Sequence, residues 1–70
     1  MVFRFTIVSW QDSGPPGWLA ISPSGTRLIL PADRLAHPVN HLRCGQQVQV
    51  ETASGHEPTV PEQVTQFYIG

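Results

Sequence analysis

The cluster of metal-ligand types in this 70-residue sequence is His37, His41 and Cys44, a His-x3-His-x2-Cys run. On a helix that spacing sets both imidazoles on one face, within reach of a single ion. Pro38 interrupts such a helix, and a fourth zinc ligand would have to come from distant His56 or a carboxylate. The run therefore reads as solvated loop histidines beside a small buried or half-buried cysteine. A nucleophilic Cys44 would require a nearby base that favours the thiolate, and His41 in a loop is thin support for one. The carboxylates Asp12, Asp33, Glu51, Glu57 and Glu62 are scattered over five segments, with no pair for acid–base work and no Ser-His-Asp order. Gly14-Pro15-Pro16-Gly17 holds glycines, but its prolines remove the N–H donors that a phosphate nest requires. No enzymatic activity, metal or cofactor is expected. What remains is binding chemistry. Trp10 and Trp18 offer large flat surfaces, while Arg4, Arg27 and Arg43 are isolated cations of a kind that usually does nothing specific.

The elements that must position these residues are short. Val2 to Trp10 is rich in β-branched and aromatic residues and free of Gly and Pro, so it reads as the longest strand. A turn cluster, Gln11 to Gly17, separates it from a second strand at Trp18-Leu19-Ala20-Ile21-Ser22. Pro23-Ser24-Gly25 makes a hairpin tip, since Pro presets φ and Gly accepts φ > 0. Thr26 to Leu30 is the third strand of this meander, with Pro31 at its end or on an edge because it cannot donate to a ladder. Ala32 to Cys44 lacks a clean period and holds at most a turn of helix at Ala32 to Leu35. Gln46 to Thr52 alternates polar and apolar residues, the pattern of a half-buried strand entered through Gly45. A fifth strand carries Val64, Phe67 and Ile69, less regular at its start because of Pro61. The expected strands are 2–10, 18–22, 27–31, 46–52 and 59–68, an all-β chain in which five antiparallel strands close into a small barrel.

Composition sets the outer limits. One domain over residues 1–70 is expected, because a chain this short buries only about 60% of its unfolded surface and leaves no volume for a deep cleft. Seven Pro and six Gly exceed what a helical bundle tolerates. No apolar run, neither Trp18 to Ile21 nor Leu28 to Pro31, approaches the roughly 20 residues a membrane span needs, and no signal peptide or membrane contact is expected. A lone cysteine fits a reducing cytoplasm rather than a disulfide scaffold. Four Arg, no Lys and five acids give a net charge of −1, without the basic excess of a protein that binds nucleic acid by phosphate neutralisation.

The layout resembles that of a bacterial cold-shock domain, a five-stranded barrel of the oligonucleotide-binding-fold (OB-fold) group. Val8-Ser9-Trp10-Gln11-Asp12 is similar to the family's Val-Lys-Trp-Phe-Asn, and Pro16-Gly17-Trp18-Leu19-Ala20-Ile21 to its Lys-Gly-Phe-Gly-Phe-Ile. Leu28 to Leu35 resembles Val-Phe-Val-His-Phe-Ser-Ala-Ile, Gly45 to Val50 the Gly-Gln-x-Val-x-Phe strand, and Gly55 to Thr65 the Gly-Pro-x-Ala-x-x-Val-Thr ending. The resemblance implies that Trp10 and Trp18 stand on an exposed face that stacks bases of single-stranded RNA or DNA. It also places Val8, Ile21, Leu30, Val48 and Val50 in the core. The rest of the family's patch is replaced: Ala20, Ile29, Pro31 and Ala32 stand at aromatic or His positions, and Ser9 and Pro16 at the framing lysines. Stacking is worth about 1–3 kcal/mol per base, so the expectation is weak single-stranded nucleic-acid binding through Trp10, Trp18 and Arg27. The alternative is a protein-interaction or self-association module, such as a homodimer, in which Trp18, Ile29, Pro31 and Ala32 form an apolar docking patch.

Overall fold

Alternation along the strands determines what enters the core. The computed structural model describes residues 2–12, 16–36 and 42–69. Five strands appear, β1 (Val2–Gln11), β2 (Gly17–Ile21), β3 (Arg27–Pro31), β4 (Gln47–Thr52) and β5 (Val64–Ile69), all paired antiparallel in one sheet of order β3-β2-β1-β4-β5. Val48 and Val50 point inward while Gln47, Gln49 and Glu51 point outward, as the period of two requires. Phe5, Ile7, Leu28, Leu30, Val64 and Phe67 complete most of the core, each burial contributing about 1.5–3 kcal/mol before entropy is charged.

The all-β class and the five strands are as the sequence implies. Closure is loose: β3 and β5 are the two edges of an open sheet, joined by a single parallel bridge between Leu35 and Phe67. The Ala36 N–H donates to the Phe67 carbonyl at 2.8 Å beside that bridge. Pro31 is the last residue of edge strand β3, where its missing N–H costs no ladder bond. A single 3-10 turn at Ala32–Arg34 follows it, within the one turn expected there. The fifth strand starts later than expected, at Val64, because Pro61–Gln63 folds into a second 3-10 turn. The Gln63 side-chain oxygen holds that turn by accepting the Thr59 N–H at 2.7 Å and the Val60 N–H at 3.3 Å. Among the described residues no helix is long and apolar enough to cross a membrane.

The feature that positions everything else is a bulge in β1. Ile7 pairs with Ala20 but Ser9 pairs with Leu19, so Val8 is an extra residue opposite the β2 ladder. Strand β1 pairs with β4 through Val2–Thr6 and with β2 through Thr6–Gln11, and the bulge falls just past the handover. Val8 is thereby turned out to solvent, 39% exposed, and not into the core as the resemblance implies. Ile21 is likewise half-buried on the outer face opposite Thr6, outside the core.

Candidate functional site

Because one residue is inserted at Val8, side-chain parity in β1 reverses: Phe5 and Ile7 face inward before the bulge, and Trp10 shares the inner face after it. Trp10 pairs with Trp18, and Trp18 with Leu30. The exposure expected of Trp18 is therefore corrected. Its ring is 4% exposed, packed edge-to-face against Trp10 at 4.7 Å between centroids and against Phe67 at 6.1 Å. Trp10 stands at the open end of this stack and is 48% exposed, as expected. Ala20 is buried as well, so neither β2 position that the resemblance assigns to the stacking patch lies on the outer surface. The Trp18 Nε1–H is buried and meets no acceptor among the described residues, a cost that the packing of two aromatic neighbours must offset.

Gly17 lies at the mouth of the cluster, opposite Pro31. A Cβ there would collide with the Leu30 carbonyl oxygen and come to 3.0 Å from Ile29 Cγ2, so β2 and β3 approach closely only because this residue lacks one.

Arg27, Ile29 and Pro31 occupy the opposite side of the sheet from the tryptophans. Their register places Thr6, Ile21 and Arg27 in one row, Ser9, Leu19 and Ile29 in the next, and Gln11, Gly17 and Pro31 in the third. Across the hairpin, then, Leu19 faces Ile29, while Trp18 faces Leu30. Leu19, Ile21, Ile29 and Pro31 are half-buried and Val8 is exposed beside them, which makes this outer surface mainly aliphatic. Its polar margin includes the exposed Arg27 and a Gln11 amide donating to Ser9 Oγ at 3.1 Å. The outer surface over β4 and β5 is different in kind. There Gln66 donates to Glu51 at 3.1 Å, and burial, the Glu51 charge and its hydrogen bond push the Tyr68 hydroxyl above its ordinary range.

The sequence singles out Ile29, Pro31 and Arg27 of this surface but not Leu19, Ile21 and Val8. Trp18-Leu19-Ala20-Ile21 is apolar at every position, so alternation leaves its parity open. A bulge carries no residue signature here at all.

The remaining candidates are dispersed. Arg4 is exposed on β1 opposite Gln49, and Arg43 is exposed in the turn that carries Gly45. His37 and His41 lie outside the described residues. Cys44 is free and exposed, not buried or half-buried. Among the described residues no group of three His, Cys, Asp or Glu side chains could hold a metal.

No family model, no curated protein and no solved structure matches this chain. The likeness to cold-shock domains therefore rests on the quoted residues alone.

Proposed function

We propose that this chain is a small binding module without catalytic chemistry, and that it docks protein through the outer face of β1, β2 and β3. The occupant we assign first is a second copy of the chain. The observation that carries this reading is the aliphatic row Leu19–Ile29 on the solvent side, with Ile21, Pro31 and Val8 around it and Arg27 as the charge at its margin. Aliphatic side chains do not stack bases but do fill apolar interfaces. A nearly uncharged face needs no opposite charge on its partner and so suits an isologous contact, and a net charge of −1 opposes association little. Sedimentation of the purified chain over a wide concentration range tests this. The parent should self-associate, and Ile29→Asp should be monomeric with an unchanged far-UV spectrum; a parent that stays monomeric throughout removes self-association.

A second reading is weak binding of single-stranded nucleic acid, and the half-exposed indole of Trp10 favours it. With Trp18 buried, one stacking platform remains of the two, so affinity through this site is low. Quenching of Trp10 fluorescence by single-stranded oligonucleotides would support it. On either reading we place the chain as a diverged relative of the cold-shock domains acting in the cytoplasm, which its exposed free thiol supports.

A further inference from the structure

Outside the proposed contact face, hydroxyl groups from one turn converge on a single carboxylate. The β2–β3 turn brings Ser22, Ser24 and Thr26 together through a Gly25 N–H to Ser22 carbonyl bond of 2.9 Å, with Gly25 at φ 94°. Glu57, in the connection between β4 and β5, takes Ser24 Oγ at 2.9 and 3.3 Å on its two oxygens and Ser22 Oγ at 3.2 Å. Ser22 Oγ also accepts the Thr26 N–H at 3.1 Å and lies 2.8 Å from Ser24 Oγ. These partners are 33 and 35 residues apart in sequence, so the contacts are tertiary.

Their place in the fold gives them a role. Strands β3 and β5 are the unpaired edges of the sheet, and the seam between them is tied past the end of β3 by Leu35, Ala36 and Phe67. Thr26 immediately precedes β3, so the Glu57 cluster ties the seam at its other end.

We propose that Glu57 with Ser22, Ser24 and Thr26 is an acid-released clasp that holds the β2–β3 turn to the β4–β5 connection. An ionised carboxylate accepts from these hydroxyls on both oxygens; a protonated one gives up an acceptor and adds a donor, so the bonds from the turn to Glu57 weaken while Ser22 and Ser24 keep each other. Hydrogen bonds from Thr26, then Ser24 and less strongly Ser22, hold the Glu57 carboxyl below the usual carboxylate range, against a raising effect of burial. The nearby ionisable residues are His56 beside it, Arg27 after Thr26 and Glu62 in the second 3-10 turn, and none of them contributes to that shift. Since the folded pKa lies below the unfolded one, the clasp is fully present above the ordinary Glu range and is lost as pH falls through the folded pKa.

Amide hydrogen exchange on the intact chain between pH 3 and 6, corrected for intrinsic rates, tests this. Protection of the Thr26 amide should fall about tenfold as Glu57 titrates, while Val50 and Phe67 stay protected. In Glu57→Gln, Thr26 should exchange faster at pH 6, with no further change on acidification. The clasp is refuted by a Thr26 protection that ignores the Glu57 titration, by simultaneous loss at Val50 and Phe67, or by a Glu57→Gln chain that keeps the parent's pH profile.

Discussion

Replacing Trp18 by alanine measures how far the core depends on the aromatic stack. Trp18 is 4% exposed, between Trp10 and Phe67, and pairs with the fully buried Leu30. Removing a buried tryptophan costs about 3–5 kcal/mol from lost transfer energy and cavity together. Its Nε1–H has no acceptor among the described residues, so the same change relieves a desolvation cost of about 1–3 kcal/mol. The expected net loss is about 2 kcal/mol, within bounds of about 0–4, against a total of about 4–10 kcal/mol for a domain of this length. In urea, with a slope near 1 kcal/mol per molar, the midpoint should drop by about 2 M. Trp18→Phe separates the two contributions, because it keeps a ring in the stack and deletes only the unpartnered donor. It should stay within about 1.5 kcal/mol of the parent. An alanine variant more stable than the parent would refute the burial; a phenylalanine variant as damaging as alanine would show that the indole N–H does have a partner.

Trp10→Ala should cost only about 0.5–1.5 kcal/mol, the worth of one edge-to-face contact, and should shift the emission of the newly uncovered Trp18 to longer wavelength. Gly17→Ala should lower the thermal midpoint by roughly 5 °C or more, since the added methyl meets the Leu30 carbonyl and β2 must move away from β3. Should oligonucleotides bind, four arginines can neutralise at most about three or four phosphates, so the log–log salt slope should lie near −2 to −3 at roughly −0.7 per phosphate. A steeper slope measured by fluorescence titration would require cations from an assembled oligomer.

How much of this was legible in the residues differs from element to element. Gln47 to Thr52 could be read correctly because every second residue is polar, which fixes both the strand and its inner face. The turns at Pro23–Gly25 and at Gly45 follow from backbone needs, and both glycines do hold positive φ. Strand β2 resisted the same reasoning, since Trp18, Leu19, Ala20 and Ile21 offer apolar side chains to both faces. Its parity is decided by its neighbours: Phe5, Ile7 and Leu30 claim the interior, and Trp18 and Ala20 follow because they pair with that side.

The bulge at Val8 links the correction at Trp18 to the functional reading. In a regular β1, Trp10 would continue the outward parity of Val8 and stand beside Leu19, giving the outer face an aromatic platform. With Val8 inserted, Trp10 joins Trp18 at the rim of the core and the outer face keeps aliphatic side chains and Pro31, with Thr6, Ser9, Gln11 and Arg27 as its polar groups and no aromatic among them. One extra residue thus moves the aromatic surface from the side of the sheet to its end. A face built of Leu19, Ile21 and Ile29 gains by excluding water from another apolar surface, whereas it offers a base no π-face to stack on. The same register stabilises the core through Trp18 and, on the proposed reading, suits the outer face to protein rather than nucleic acid. Deleting Val8 tests the register: Ile7, Ser9 and Trp10 would then meet Ala20, Leu19 and Trp18 in an unbroken ladder, so the Trp10–Trp18 contact should survive, and a red-shifted Trp18 emission would refute Val8 as the extra residue.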